Sequence, residues 1–402
     1  MKNNYGSRNT FTGLTGLLCC ILLVFAGCKE EKGTSLYDLV TPGKPQPVID
    51  SISPAGSALA ASQSLTMYGK NFSATPIENF VFFSGKQANV LSATTTKLVV
   101  TSLVDSGSVV VKVTVAGADL YSPNFPYRLY LAVEPFGTLT PPSTGASGLT
   151  PDSAGNLYFD LLATGVDNGI SIYAPGGTMS SFAPKTPSIT YWSSLKKGPG
   201  GVLYAARGAS AVFVFAGAGV GAAIWVRGSA SFSDIDFDQS KNIWAGGNSV
   251  GLFCYHQDKT FNSVPYTNSV HALRVYGGYL YFSALVDSTE KILRAPINAD
   301  TLGAIETYFN IGSAVGSGYV GQAITFSSDG YLYIGTQAPL GIIVVAPDRS
   351  FTTPYTLYSS RFGTQVNYLA WGPGELLYGS TYEGGLFKIH TRKSGAPYYG
   401  LN

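Results

Sequence analysis

The sequence predicts an all-β protein in which a small β-sandwich is followed by a six-bladed β-propeller. Three observations support this prediction. The 402-residue chain contains 48 glycines and 13% aromatic residues but only 12% charged residues, a composition typical of strands joined by tight turns. Residues 47–130 alternate short apolar runs with turn residues, and after residue 150 one short phrase recurs six times.

The first 27 residues have the features of an export signal. Two basic residues and no acidic residue precede an apolar run at 14–25. That run is shorter than the roughly 20 residues that a membrane-spanning helix needs. The small pair Ala26-Gly27 then precedes Cys28. The alternative is an ordinary cleaved signal followed by an incidental cysteine.

The segment around Cys28 resembles the lipobox of bacterial lipoproteins, although Phe25 stands where that pattern usually has leucine. The resemblance implies that Cys28 is lipidated and becomes the N-terminus. Lys29-Glu30-Glu31 resembles the surface-export signal of Bacteroidetes-type lipoproteins, and a merely solvated charge cluster is the alternative. We therefore expect a lipid-anchored, surface-exposed protein of the outer membrane, with residues 28–46 as a polar tether.

Charge and cysteine content exclude several classes of function. Without the signal, the chain keeps 23 of its 25 basic residues against 23 acidic ones, so it is formally neutral. A neutral chain without basic runs argues against nucleic acid as a partner. Only Cys254 lies beyond the signal and the lipid site, which excludes an internal disulfide. We expect Cys254 to pack within a strand.

Residues 47–130 predict the β-sandwich. Strand-like runs rich in Val, Phe and Thr lie at 64–72, 78–94, 97–103 and 107–117, with turn residues between them. With "PVIDSISPAGS" at 47–57, these runs resemble the IPT/TIG immunoglobulin-like family, whose most characteristic piece here is Gly69 followed by Asn71-Phe72. That family usually serves as a spacer or packing module, so no ligand site is assigned. We expect Gly69 to allow a backbone turn and Phe72 to fill the core.

Residues 131–402 carry the repeat, exemplified by "DSAGNLYF" at 152–159 and "SSDGYLYI" at 327–334. Its aromatic positions are spaced by 46, 40, 37, 52 and 45 residues, which indicates a propeller with one blade per repeat. We expect these aromatic residues to pack between blades: Tyr158, Tyr204, Trp244, Tyr281, Tyr333 and Tyr378. The pattern resembles NHL-repeat and SMP-30-like propellers. Either 128–137 or 396–402 could supply the strand that closes the ring.

Position in the repeat selects the candidate ligand residues. In a propeller, the loops before each innermost strand and those between the second and third strands converge at the channel mouth. These loops carry Tyr191, Trp192, Phe232, His271, Tyr319, Gln322, Asn367, Tyr382 and Glu383. Rings, amides and carboxylates suit the apolar C–H faces and hydroxyls of sugars. The alternative is that any polar loop set on a propeller has this composition and that some of the rings are buried.

We expect no catalytic residue, metal or cofactor. The chain has three histidines, neither an HExxH helix nor a GxSxG elbow, and thus no recognised metalloenzyme or serine-hydrolase motif. "DIDFDQS" at 234–240 alternates acids with apolar residues as a strand does, which argues against a calcium loop. A pair of carboxylates for a glycosidase could be assembled from Asp287, Glu290 and Glu383, at distances that the sequence does not define.

Surface lipoproteins of this build resemble accessory proteins of Bacteroidetes glycan-uptake systems. We therefore expect a non-catalytic binding protein for polysaccharide, attached to the membrane through Cys28. Two alternatives stay open. One is a propeller enzyme, either a polysaccharide lyase or a hydrolase, and the other is a protein–protein scaffold beside an outer-membrane transporter.

Overall fold

A computed structural model of the chain describes residues 43–139, 144–187, 189–248, 251–382 and 385–401. The expected signal at 1–27, the lipid site at Cys28 and most of the tether lie outside these ranges. Within them, the helices are too short and too polar for any of them to cross a bilayer. Strands dominate both parts of the described chain.

The N-terminal part is a sandwich of two sheets. Its strands are β1 Val48–Ser53, β2 Ser57–Leu59, β3 Ser64–Lys70, β4 Asn79–Phe83, β5 Lys86–Ala88, β6 Val90–Ala93, β7 Lys97–Thr101, β8 Gly107–Val115 and β9 Phe125–Tyr130, with one 3-10 turn, η1 Pro76–Glu78. One sheet has the order β1-β3-β7-β6 and the other β2-β9-β8-β4-β5. Alternate residues of β3 and β8 are buried, so the core lies between the sheets.

Gly69 is required by a close approach rather than by a turn. It does not adopt a positive φ, but a Cβ on it would lie 1.9 Å from the carbonyl oxygen of Val48 and 2.6 Å from the ring of Phe72. Phe72 is 4% exposed and belongs to the sandwich core. The expected role of Phe72 is therefore confirmed, whereas that of Gly69 is corrected: a missing side chain lets β1 and the Phe72 ring approach.

Six sheets follow in the described part of residues 131–402. Their strands are β10 Val133–Pro135, β11 Thr144–Pro151, β12 Leu157–Ala163, β13 Val166–Tyr173, β14 Met179–Ala183, β15 Ser194–Lys197, β16 Leu203–Ala206, β17 Ala211–Phe215, β18 Ala223–Arg227, β19 Phe232–Phe237, β20 Ile243–Gly247, β21 Leu252–Tyr255, β22 Phe261–Val264, β23 Val270–Tyr276, β24 Tyr279–Val286, β25 Thr289–Asn298, β26 Thr301–Leu302, β27 Glu306–Asn310, β28 Ala323–Phe326, β29 Leu332–Gly335, β30 Ile342–Val345, β31 Phe351–Thr352, β32 Tyr368–Trp371, β33 Leu376–Thr381 and β34 Gly385–His390. Helical turns are η2 Pro199–Gly201, α1 Ile311–Val315 and η3 Thr356–Arg361.

The sheets are antiparallel and follow the chain. Sheet 1 is β11–β14, sheet 2 β15–β18, sheet 3 β19–β22, sheet 4 β23–β27, sheet 5 β28–β31, and sheet 6 is β32–β34 with β10. The first strand of each sheet contacts the first strand of the next, and β32 also contacts β11. β10 pairs with β34 in the register Val133↔Ile389. Of the two closing segments that we considered, 128–137 therefore supplies the strand.

The repeated aromatic residues lie where the repeat predicts. Each is on the second strand of its sheet, and their exposed fractions range from 0% for Trp244 to 8% for Tyr158. The expectation that they pack in the interior is confirmed. Cys254 is also fully buried, in β21, and burial raises the pKa of its thiol to about 12, so it is not a reactive thiolate.

Two further features connect distant parts of the chain. The Tyr358 ring in η3 packs in one cluster with Leu59 of the sandwich and Val133 of β10. The last residues, 394–401, form no strand. They run across the ends of the first strands instead, and we name them the C-terminal segment.

Candidate functional site

The first strands of several sheets begin around one small cavity. Its volume is about 40 Å³. Residues at or just before the starts of these strands line it, among them Ser193, Ser194, Asp234, His271, Gln322, Asn367 and Tyr368. We name this end of the sheets the mouth and this cavity the mouth cavity. Three of the predicted ligand residues, His271, Gln322 and Asn367, thus lie around the same space.

His271 is held by a buried carboxylate. Its Nδ1 lies 3.0 Å from Oε1 of Glu290, and the same oxygen accepts the backbone N–H of Gly321 at 3.1 Å. Glu290 is 5% exposed, and its Oε2 has no hydrogen-bond partner in the part of the chain that the structure describes. Because Nδ1 is engaged, Nε2 is the nitrogen that His271 can offer to a ligand.

A second carboxyl, that of the partly buried Asp234, joins sheets 2, 3 and 4 below the mouth. Ser194 Oγ donates to Oδ1 of Asp234 at 2.6 Å, and the backbone N–H of Leu273 donates to Oδ2 at 2.9 Å. Burial raises the pKa of Asp234, and the Lys196 ammonium opposes this shift. Since each hydrogen bond crosses from one sheet to another, this carboxyl fixes the relative positions of three first strands.

Three tyrosines lead from the rim into the mouth cavity. Tyr191 is 38% exposed, and its ring meets that of Tyr382 edge to face with centroids 5.2 Å apart. The hydroxyl of Tyr382 lies 2.8 Å from that of Tyr368, which lines the cavity. Asn367 Oδ1 accepts the backbone N–H of Tyr382 at 3.2 Å. Burial raises the pKa of both Tyr368 and Tyr382, so their hydroxyls stay protonated at neutral pH.

A depression of about 250 Å³ borders the exposed Tyr191 ring. Its lining is Ile189, Thr190, Tyr191, Arg207, Gly208 and Ala209. The Arg207 guanidinium lies 4.9 Å from the centroid of the Phe213 ring, and its Nε is buried with no hydrogen-bond partner among the described residues. An aromatic face and a fixed cation thus stand side by side at the rim.

The backbone next to Tyr191 is fixed by a neutral carboxyl. Oδ2 of Asp160 accepts the backbone N–H of Trp192 at 2.9 Å and the Ser147 hydroxyl at 2.8 Å. Burial, and secondly the neighbouring Asp167 carboxyl, raises the pKa of Asp160 to about 9. Asp160 is therefore protonated at neutral pH, and it holds the loop without the cost of a buried charge.

Two of the predicted ligand residues are buried in the interior. Trp192 and Phe232 both have 0% exposed surface. Trp192 packs edge to face on Phe213, with centroids 5.2 Å apart, and Phe232 packs in the same way on Phe253 at 5.7 Å. The prediction of direct ligand contact is wrong for these two rings, because they turn inward and fill the space between sheets.

The other candidates differ in position. Tyr319 is partly buried and packs against the core between sheets 4 and 5, and Glu383 lies outside the described residues. Tyr368 and Asp234 are not singled out by the sequence, because both lie within strands, β32 and β19, rather than in loops. For Asp234 the sequence did contain a signal. Asp234 and Asp236 alternate with the buried Ile235 and Phe237, so the two acids share one face of β19.

The described residues include no group of three or more His, Cys, Asp or Glu side chains arranged to hold a metal ion. Residues 232–237 form β19 and not a loop of calcium-binding type. The polar groups at the mouth are amides, hydroxyls, an imidazole, an arginine and the ion-paired Lys196 and Asp234, flanked by one exposed ring. Such a set is suited to a neutral, hydroxyl-rich ligand.

Comparison with known proteins agrees with this architecture. The IPT/TIG domain model matches residues 47–128. An auxiliary nutrient binding protein from Bacteroides thetaiotaomicron is 12% identical, with 86% of this chain and 97% of that chain covered and a TM-score of 0.50. A luciferin-regenerating enzyme is 15% identical, with 67% and 99% covered and a TM-score of 0.52. Regucalcin from Agrobacterium tumefaciens, described as a calcium-binding protein, is 13% identical, with 66% and 95% covered and a TM-score of 0.49.

At these identities the solved structures inform on the fold alone. No curated protein sequence matches the chain significantly. The resemblances to the IPT/TIG family and to SMP-30-like propellers are nevertheless confirmed at the level of architecture. The chain thus carries an IPT/TIG domain at 47–128, followed by sheets of propeller type.

Proposed function

We propose that the protein binds carbohydrate at the mouth without changing it chemically. The observation that carries this proposal is the Tyr191 ring, exposed and held edge-on by Tyr382 next to the mouth cavity. A ring that is both exposed and fixed loses little entropy when a sugar stacks on it. Amide and imidazole groups of His271, Gln322 and Asn367 are near enough to the cavity to bond sugar hydroxyls.

The proposal includes a closed six-bladed propeller at 131–402 and a sandwich domain at 47–130. Contacts of each first strand with the next, and of β32 with β11, support ring closure. The pairing of β10 with β34 completes the sixth sheet from a strand at the start of the domain. In such a ring the mouth cavity is the upper end of the central channel, where loops from every blade converge.

We further propose that the protein is a lipoprotein of the outer membrane, anchored by Cys28 and exposed at the cell surface by the Lys29-Glu30-Glu31 signal. The support is the sequence pattern together with the similar architecture of a Bacteroides protein described as an auxiliary nutrient binding protein. The IPT/TIG domain then acts as a spacer between the anchor and the propeller. Metabolic labelling with an alkynyl fatty acid tests the anchor: Cys28→Ser must abolish the label.

An enzymatic function is the second candidate. The specific observation in its favour is His271, whose imidazole is oriented by the buried Glu290 carboxylate as in a general acid–base pair. Against it, no nucleophile is hydrogen-bonded to Nε2 among the described residues, since the Ser194 hydroxyl bonds Asp234. The same experiment separates the two functions when products are measured.

Affinity electrophoresis of the full chain in gels containing starch, xylan, mannan or pectin tests the proposal, with reducing ends and unsaturated products assayed in parallel. We expect retardation by one of these polymers and no new ends. Tyr191→Ala must abolish the retardation. Tyr68→Ala, at a 45% exposed tyrosine of the sandwich, is the matched control and must keep it. New ends indicate an enzyme, and retardation that survives Tyr191→Ala refutes the mouth as the site.

A further inference from the structure

The depression beside Tyr191 holds a positive charge without a negative partner. Of the six residues that line it, only Arg207 is charged. The ion pairs of the described residues involve other cations of the sheets, such as Lys196, Arg274 and Arg294, and none of them includes Arg207. Within the described part of the chain, the guanidinium at the rim of the mouth is therefore an unpaired cation.

Aromatic rings fix the position of this guanidinium. Its central carbon lies 4.9 Å from the centroid of the Phe213 ring and 6.0 Å from that of the Trp192 ring, which is within the range of cation–π attraction. Arg207 is partly buried, and its buried Nε has no hydrogen-bond partner among the described residues. Because stacking on a ring uses no N–H donor, the terminal N–H groups of Arg207 stay available at the depression that it lines.

Two acids of sheet 1, Asp160 and Asp167, lie near this loop without pairing with the arginine. Asp160 is protonated, because burial raises its pKa to about 9. The Asp167 carboxylate accepts the backbone N–H groups of Gly169 at 2.8 Å and Thr186 at 2.6 Å, so backbone donors satisfy its charge. An anion that approaches from solvent therefore meets a guanidinium that no carboxylate of the described residues already occupies.

An arginine in this state is suited to a carboxylate. Its planar guanidinium presents paired N–H donors that match the two carboxylate oxygens, and such charge-assisted bonds are stronger than neutral ones. The Tyr191 ring in the same depression offers an apolar face on which a sugar ring can stack. A hexuronic acid combines both features, because its carboxylate is attached directly to the sugar ring.

The size of the depression and the other groups of the mouth agree with such a sugar. The volume of about 250 Å³ is below the roughly 300–1,000 Å³ of sites for drug-sized ligands, so it suits one sugar unit of a longer chain. The neutral groups of His271, Gln322 and Asn367 suit hydroxyls, which uronic acids share with neutral sugars. Arg207 adds one requirement, a carboxylate on the sugar that stacks on Tyr191.

We propose that the depression selects a hexuronate unit of an acidic polysaccharide, with its ring on Tyr191 and its carboxylate on Arg207. This inference rests on the proposed carbohydrate function and names the class of sugar that the site takes. Arg207 is then the residue that determines specificity, whereas Tyr191 stacks on sugars in general.

Affinity electrophoresis of the full chain in gels containing polygalacturonate, glucuronoxylan or alginate tests the inference. Each polymer is compared with its own methyl ester, which keeps every sugar ring and removes only the charge. We expect at least one acidic polymer to bind with an apparent Kd about tenfold or more below that of its ester. Arg207→Gln must weaken binding of the acidic polymer to the level of the ester. Arg227→Gln, at an exposed arginine of the same sheet, is the control and must not change it.

Three results overturn the inference. The first is equal retardation by the acidic polymer and its ester, which the wild type alone decides even when Arg207→Gln does not fold. The second is unchanged retardation of a folded Arg207→Gln. The third is retardation by dextran sulfate as strong as that by the acidic polymer, because the site then recognises negative charge and not a carboxylate.

Failure of the inference is distinguishable from failure of the proposed function. Retardation by neutral polymers that Tyr191→Ala abolishes, without a preference for acidic ones, contradicts only the role of Arg207. Retardation that survives Tyr191→Ala, or no retardation by any acidic or neutral polymer, contradicts the carbohydrate site itself and the inference with it.

Discussion

The hydroxyl of Tyr358 donates to the backbone carbonyl of Ala60 at 2.9 Å, although 298 residues separate them. The same hydroxyl accepts the backbone N–H of Ala132 at 3.0 Å. Ala60 follows β2 of the sandwich, Ala132 precedes β10, and Tyr358 lies in η3 between sheets 5 and 6. One side chain with 1% exposure therefore joins the two parts of the molecule and the segment between them.

Tyr358→Phe tests this joint. The substitution keeps the ring but leaves the buried N–H of Ala132 without an acceptor, so we expect the free energy of unfolding to fall by about 2 kcal/mol. Urea unfolding of the full chain measures the change. Leu357→Ala, at a neighbouring side chain that is 61% exposed, must change it by less than about 0.5 kcal/mol. Equal losses of stability from the two substitutions contradict the role of the Tyr358 hydroxyl in joining the two parts of the molecule.

Because Asp160 is protonated in the folded protein, we expect it to make the stability of the fold depend on pH. Its pKa is raised in the folded state to about 9, so the folded protein binds a proton that the unfolded chain releases near its ordinary pKa of about 4. Wild-type stability from this group is therefore greatest at low pH and declines as the pH rises towards 9. Asp160→Asn keeps an oxygen that accepts from Trp192 and cannot ionise. We expect the stability of this variant relative to wild type to rise with pH between about 4 and 9, the pKa values of the unfolded and folded states.

Denaturant midpoints of both proteins across that window measure the effect. Asp152→Asn is the control, because Asp152 lies in a turn and is only partly buried. A difference between wild type and Asp160→Asn that does not change with pH shows that Asp160 is ionised in the folded protein.

We expect removal of the Glu290 side chain and its neutralisation to lower the free energy of unfolding by different amounts. Glu290→Ala leaves the Gly321 N–H and His271 without their acceptor, so we expect a loss of about 1–3 kcal/mol in the free energy of unfolding. Glu290→Gln keeps one oxygen, and we expect it to lose less than about 1 kcal/mol. Urea unfolding compares the two. Equal losses contradict the role of Oε1 as the shared acceptor.

Two glycines of the sandwich are needed for different reasons, Gly69 for close packing and Gly85 for its backbone conformation. Gly69→Ala places a Cβ against the Val48 carbonyl at 1.9 Å, and we expect a loss of about 3 kcal/mol. Gly85 has a φ of +87° and open space around it, so Gly85→Ala costs about 1 kcal/mol from the left-handed conformation alone. Thermal unfolding of the full chain ranks them. A larger loss of stability for Gly85→Ala than for Gly69→Ala contradicts the role of Gly69 in close packing.

The sequence was sufficient for features that repeat. Tyr158 and Tyr333 occupy the same position of different repeats, and both are buried on second strands. Six copies of one pattern make a local prediction strong, because the same packing requirement recurs at every copy. The order of strands within each sheet follows for the same reason.

The sequence does not predict which of two neighbouring aromatic side chains is exposed and which is buried. Tyr191 and Trp192 are adjacent aromatic residues of one loop, yet Tyr191 is 38% exposed and Trp192 is fully buried. The difference depends on Asp160, which bonds the Trp192 backbone from another sheet. Likewise, 128–137 and 396–402 are both rich in aromatic and apolar residues, and only long-range pairing with β34 distinguishes them.

The pairing of Val133 with Ile389 also determines when the molecule can be completed. β10 is synthesised directly after the sandwich, whereas its partner β34 is the last strand of the described chain to be made. Until then, β10 has an unpaired edge, and such edges invite aggregation. Since pairings between distant segments are slow to form, a chain interrupted before residue 385 keeps this edge open permanently. An interrupted chain thus differs from a finished one in that β10 stays exposed next to the folded sandwich.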